Sequence, residues 1–306
     1  MNKVLETLNG LVYGVAVDQG SGLEAAIKEA RGAASQNDDL LTFKRIVVET
    51  LSPKATTLLV DATYGRDLLG SYADGCTKML AFEADVYQIS DEDRITALPD
   101  NLEVSDFPQL GAKILKFFLY YGPNDPAELN QRKFDLVEQV GRKCKLNGVS
   151  FLFEPIVYDR DLPNVSSAEF AKAKPELVRA ATQAFADPKF GVDILKVEVP
   201  VNFNFVEGYG TPQMSKVAAK AAFVAASDAA GDIPLLYLSA GVTFEQFRDA
   251  LVFSRQAGVR SLGFMCGRAI WSDAIGIFGT QGPEAMTKWM LSTGRDRLAQ
   301  LKDAIA

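Results

Sequence analysis

Eight short apolar runs recur along the chain: "VYGVAV", "TTLLV", "KMLAFE", "ILKFFLYY", "VSFLFE", "DILKVEV", "PLLYLSA" and "SLGFMC". The pieces between them have helical character. Ser166 to Glu169 reads as a capping box before "FAKAKPELVRAATQAFAD", and Thr243 to Gln246 as another before "FRDALVFSRQAG". Strand then helix, repeated eight times in a chain of 306 residues, predicts an α/β protein built as one (β/α)8 TIM barrel rather than an open sheet. "AVDQGSG" after the first run lacks the Gly-x-Gly-x-x-Gly spacing of a dinucleotide site. No linker, repeat or low-complexity tract divides the chain, so residues 1–306 are expected to form a single domain.

A two-residue period sorts each strand into two faces. In "DILKVEVPV" Leu195, Val197 and Val199 share one face, and Ile194, Lys196 and Glu198 share the other. Alone, that segment fits a half-exposed strand with a surface ion pair. The other strands change the picture, because barrel active sites lie at the carboxyl ends. The corresponding faces read Gly14, Ala16, Asp18; Ser150, Leu152, Glu154; and Leu235, Tyr237, Ser239, with Lys116 beside Ile114, Phe118 and Tyr120. The barrel interior is therefore expected to gather two lysines and two to three carboxylates.

Composition narrows the chemistry. The chain has no histidine, which removes His-based triads, the usual general base and the usual catalytic zinc ligands. Thirty-two basic against 39 acidic residues give a net charge of −7, and no like-charged block attracts nucleic acid or an acidic membrane. No run approaches the length of about eighteen apolar residues that spans a membrane, and "MNKVLETLNGLVYGV" lacks a leader pattern. Cys76, Cys144 and Cys266 are too scattered for a disulfide framework or zinc site, which fits a reducing, cytoplasmic setting.

A lysine in a partly dry pocket beside a second cation loses its preference for the ammonium form, and the neutral amine attacks carbonyl carbon. Lys196 and Lys116 make Schiff-base chemistry the reading, with Glu154 as proton shuttle and Asp18 holding a lysine or a substrate hydroxyl. No cofactor or metal is called for. "LSAG" and "CGRA" bring Gly241, Gly267 and Arg268 to the loops after the last two strands, where barrels commonly hold phosphate.

At this point the chain resembles the class I tagatose 1,6-bisphosphate aldolases and their sulfofructose-phosphate aldolase relatives, most densely in "KFFLYY", "FEPIVYD", "FGVDILKVEVPVN", "VEGYG", "YLSAGV" and "GRAIW". The resemblance implies that Lys196 forms the Schiff base, that Glu154 is the acid/base, and that Lys116 and Asp18 support them. It also implies that Ser239, Gly241, Gly267 and Arg268 hold a phosphate on C1. Gln19 joins the substrate-binding candidates beside Asp18. Three departures affect the far end of the substrate. The family's Asp-Gln-Arg reads "DQG" here, so Gly20 supplies no guanidinium; Asp-Pro-Glu-Tyr-Gly reads "DATYGRD"; and Tyr-Glu-Lys-Thr-Gly-Tyr reads "FEADVY", keeping Glu83 and Tyr87. Arg66 is the expected replacement cation.

The function expected is reversible, metal-independent cleavage of a ketose 1-phosphate between C3 and C4. The products are dihydroxyacetone phosphate and an aldehyde, with tagatose 1,6-bisphosphate the leading substrate. A sulfofructose 1-phosphate is the competing substrate, and a non-catalytic, phosphosugar-binding regulatory barrel is the reading from another class. A homo-oligomer is left open.

Overall fold

The computed structural model describes residues 10–306, so most of the opening stretch examined for a leader lies outside the described residues. The eight strands are β1 (Val12–Val17), β2 (Thr57–Val60), β3 (Thr77–Ala81), β4 (Ile114–Tyr121), β5 (Ser150–Val157), β6 (Ile194–Glu198), β7 (Leu235–Leu238) and β8 (Gly263–Cys266). Each coincides with one of the eight apolar runs. They pair in sequence order, all parallel, and the ring closes where β8 meets β1, with Val12 opposite Gly263 and Val15 opposite Cys266.

A parallel sheet covered on both faces needs apolar residues on both, and two packing shells result. Val12, Ala16, Leu59, Met79, Ala81, Ile114, Leu152, Ile194, Leu236 and Met265 fill the barrel interior. A larger shell packs between strands and helices, where Phe153 and Phe185 meet with ring centroids 4.5 Å apart.

The helices depart from one per strand. Two follow β1, α1 (Ser21–Arg31) and α2 (Asp39–Leu51), whereas β2 is followed by a 3-10 segment (Arg66–Ser71) and β3 by a long loop with short 3-10 turns. The expected strand-then-helix alternation therefore fails twice. The residues explain it: Gly65, Gly70 and Gly75 crowd the first connection, and the second, 82–113, carries Pro99, Pro108 and several Asp and Ser residues that favour turns. The second helix after β1 packs against the 3-10 segment after β2 and covers that side.

Helices α3 (Ala127–Asn147), α4 (Ala168–Phe185), α5 (Lys216–Ala229) and α6 (Phe244–Gln256) follow β4 to β7 in turn. The chain ends in α7 (Arg268–Trp271), α8 (Asp273–Gln281), α9 (Pro283–Trp289) and α10 (Arg295–Ile305). The Thr243–Gln246 capping box forms, with bonds of 3.2 and 3.3 Å. The box expected at Ser166–Glu169 does not. Ser167 is the cap instead, its hydroxyl accepting from the Phe170 amide at 3.1 Å, one residue later than the pattern suggested.

Candidate active site

The carboxyl ends of the strands open into a cavity of about 710 Å³. Its floor follows from strand parity. Ile194 points into the barrel interior, so Lys196 and Glu198, two and four residues later, point the same way and meet the mouth as the strand ends. The same parity carries Asp18 from Ala16, Lys116 from Ile114 and Glu154 from Leu152.

Four of these side chains, Lys196, Glu154, Lys116 and Asp18, come together. Lys196 Nζ lies 3.0 Å from Glu154 Oε2, and Lys116 Nζ lies 2.9 Å from the same oxygen and 2.9 Å from Asp18 Oδ2. A fifth member was not among the candidates: Glu83 forms an ion pair with Lys116 through Oε1 and accepts from the Phe118 amide at 3.3 Å through Oε2. The signal for it was present, because Glu83 has the parity of Met79 and Ala81, two interior residues of β3.

Charge balance sets the protonation pattern. Burial opposes the Lys116 ammonium, but Asp18, Glu154 and Glu83 outweigh it and raise its pKa well above the ordinary lysine value. Burial likewise opposes ionised Asp18, and Lys116 and Lys196 overcome it, holding that carboxyl well below the usual range. At Glu83 burial wins over Lys116 and lifts the carboxyl to about 7. The cluster therefore contains a fixed cation, a fixed anion and a carboxyl able to take up or release a proton near neutrality.

The loops after β7 and β8 meet over the cavity. Gly241 has φ +81°, and a Cβ there would lie 3.1 Å from the Arg268 guanidinium, so glycine both permits the turn and seats Arg268 across it. Ala240, at φ 49°, continues the left-handed turn. The Ala240 and Gly241 amides donate to no acceptor among the described residues. At Gly267 a Cβ would come within 2.3 Å of the Ala16 carbonyl, the same carbonyl that accepts from Trp271 Nε1 at 2.9 Å. Close contact with β1 thus fixes the segment carrying Arg268. Ser239, Gly241, Gly267 and Arg268 all line the cavity. Gln19 lines it as well, with a buried side-chain oxygen that finds no donor among the described residues.

Two expectations need correction. In β7 the interior face is Leu236, not Leu235 and Tyr237; Tyr237 packs outward against Phe223 with centroids 5.8 Å apart. β7 is apolar on both faces, so its period carries no direction, and Ser239 reaches the cavity from just beyond the strand rather than by alternation. Arg66, expected at the mouth, does not line the cavity: its Nη1 donates to the Asn101 carbonyl at 2.9 Å in an exposed contact. The 3-10 segment that replaces a helix after β2 begins at Arg66 and turns it outward.

The space at Gly20 is taken by Asp85. A Cβ at Gly20 would lie 2.8 Å from Asp85 Oδ2, and that oxygen accepts from the Ser21 amide at 2.7 Å. On the far side of the mouth, Arg94 lines the cavity. No periodic pattern in its loop pointed to it.

The model of the DeoC/LacD family aldolases matches residues 13–273. A protein of Listeria monocytogenes named tagatose 1,6-diphosphate aldolase is 34% identical over 299 residues, covering 97% of this chain and 88% of its own. One of Streptococcus agalactiae named tagatose 1,6-diphosphate aldolase 2 is 35% identical over 304 residues, covering 97% and 91%. Among solved structures, the fructose-bisphosphate aldolase of Plasmodium falciparum superposes with a TM-score of 0.71 at 12% identity, over 98% of this chain and 94% of that one. A Schiff-base-forming fructose-1,6-bisphosphate aldolase superposes with a TM-score of 0.59 at 15% identity, over 94% and 97%. At those identities the superpositions speak for the fold, and the sequence matches for the family. With a lysine–carboxylate cluster at the carboxyl end of a closed barrel and relatives aligned over nearly its whole length, the chain belongs to the DeoC/LacD family of aldolases.

Proposed function

We propose that the cavity cleaves a ketose 1-phosphate, with tagatose 1,6-bisphosphate the leading substrate, through an imine on Lys196. The observation that carries this reading is the 3.0 Å contact between Lys196 Nζ and Glu154 Oε2 in a buried cluster. Lys196 passes a proton to Glu154, and the free amine attacks the C2 carbonyl. Glu154 returns a proton to the leaving hydroxyl, water departs and the protonated imine forms. The imine draws in the electrons of the C3–C4 bond while Glu154 takes the C4 hydroxyl proton, releasing the aldehyde. Protonation of the enamine at C3 and hydrolysis free dihydroxyacetone phosphate and the lysine. The Lys116 ammonium, held charged by its carboxylates, lies 2.9 Å from Glu154 Oε2 and stays fixed while that oxygen exchanges protons with Lys196. Arg268, Ser239 and the loop at Gly241 hold the C1 phosphate, and Gln19 and Asp18 take substrate hydroxyls.

The relatives' names support the choice of ketose. Among the described residues no helix is long and apolar enough to cross a membrane, and all three cysteines are free and buried. The unpaired cysteines support a cytoplasmic setting. The test is reduction with borohydride in the presence of dihydroxyacetone phosphate, followed by mass spectrometry of peptides. Label is expected on Lys196; label on another lysine, or none, overturns the mechanism.

A further inference from the structure

An extended ketose bisphosphate carries an anion at each end, and the loops after β7 and β8 take only one of them. In a ring of eight strands β4 lies opposite β8, so the remote end of such a substrate runs either toward the β1–β3 rim or across toward β4 and β5. The β1–β3 rim is closed to it. Gly20 offers no side chain, and the Asp85 carboxylate already sits at the N-terminus of α1, bonded to the Ser21 amide at 2.7 Å and to the Tyr87 amide at 3.1 Å. A second anion there meets a fixed negative charge and amides that are already bonded.

The β4–β5 side has a cation available, carried over it by the loop that follows β3. Arg94 has φ 50°, an uncommon backbone state for a residue with a side chain. Its guanidinium lies 4.4 Å from the Tyr158 ring centroid and 5.3 Å from that of Tyr120. Contact through the ring faces leaves the in-plane N–H groups directed outward. Among the described residues their one side-chain acceptor is Asp91 at 3.3 Å, and Asp91 is 96% exposed, so that pair is weak. The loop carrying Arg94 is anchored rather than loose: Arg160 donates to the Glu92 carbonyl at 2.9 Å and pairs with Asp125 at 2.8 Å. Arg160 does not line the cavity, and Lys174, which does, is committed to Glu198 at 3.2 Å.

We infer that Arg94 binds the anionic group at the end of the substrate remote from the C1 phosphate, and so sets the preference for a ketose charged at both ends. The inference rests on the ketose-phosphate reading above. Lys174, neutralised by Glu198, contributes less.

The experiment measures kcat/KM for tagatose 1,6-bisphosphate and for tagatose 1-phosphate in the wild type and in Arg94→Met, Arg94→Lys and Lys174→Met. Losing hydrogen bonds to a charged group lowers affinity by about 10- to 100-fold. Arg94→Met is therefore expected to reduce the bisphosphate-to-monophosphate ratio by about that factor, mainly through KM. Arg94→Lys should fall between, because it keeps the charge without the planar fork, and Lys174→Met should change the ratio less. Borohydride trapping with dihydroxyacetone phosphate, which lacks the remote end, reports whether each variant is folded. If Arg94→Met is not, Arg94→Lys decides. A ratio unchanged at Arg94, or changed as much by Lys174→Met, overturns the inference. Equal use of both ketoses by the wild type overturns it alone. A wild type that cleaves neither, yet is trapped with dihydroxyacetone phosphate, overturns the ketose choice and the inference with it.

Discussion

Lys116 and Lys196 reach one and the same oxygen: Glu154 Oε2 lies 2.9 Å from the first ammonium nitrogen and 3.0 Å from the second. In the proposed mechanism a proton leaving Lys196 passes to this shared oxygen, beside a second lysine. Glu154→Gln keeps the shape and removes the proton acceptor. Turnover should fall by roughly 10²- to 10⁴-fold, with a smaller change in KM, as read by steady-state kinetics. Near-normal turnover would move the acid/base role to another group.

Glu83 makes stability depend on pH in a defined direction. Its folded value of about 7 lies above the ordinary 4.5, so its protonated form is favoured in the folded protein. That contribution is complete below about 4.5 and is lost as pH rises through about 7. Glu83→Gln cannot ionise, so its stability relative to wild type should improve between pH 4.5 and 7.5, by up to roughly 3 kcal/mol. Asp18 acts oppositely and elsewhere: its depressed carboxyl contributes above its ordinary 3.8, and the contribution is lost only as pH falls below that. Urea denaturation at pH 4.5 and pH 7.5 measures the difference. An equal gap at both would mean that Glu83 does not titrate in this window.

Gly267→Ala forces a methyl group to within 2.3 Å of the Ala16 carbonyl, a backbone atom that cannot rotate away. The variant should lose about 1–3 kcal/mol of stability. The displaced Arg268 should also raise KM for the ketose phosphate, whereas Arg268→Ala should raise KM with little loss of stability. Thermal melts and kinetics of the two variants separate the effects. A Gly267→Ala protein with wild-type melting would show that β1 and the β8 loop are less tightly joined than this contact implies.

A chelator such as EDTA should leave turnover within about twofold of normal, because the carboxylates of the cluster already hold lysines and the chain has no histidine. No group of three or more His, Cys, Asp or Glu among the described residues could hold a metal ion. Activity lost on chelation and restored by a divalent ion would overturn the metal-independent chemistry.

The legible parts of the sequence were those where an apolar residue inside the barrel and a polar one at its mouth share a parity. Ile194 with Lys196, Leu152 with Glu154 and Ala16 with Asp18 all follow that rule, and Glu83 follows it from Met79 and Ala81. Parity fails where both faces are apolar, as in Leu235–Leu238, and the β7 assignment slipped by one residue there. It has nothing to say in loops. Arg66 and Arg94 both follow early strands, and only the path of the backbone, a 3-10 turn at one and a left-handed residue at the other, decides which lines the cavity.

The ion cluster draws one side chain from each of five strands or the residues just after them, β1, β3, β4, β5 and β6, and the proposed phosphate cradle takes its residues from the loops after β7 and β8, leaving no arc of the ring self-sufficient. A cut in the exposed stretch 160–166 would part Asp18, Glu83, Lys116 and Glu154 from Lys196, Ser239 and Arg268. Two such fragments, inert apart, would regain aldol cleavage only by docking edge to edge, so that the enzyme would serve as a split reporter of its own assembly.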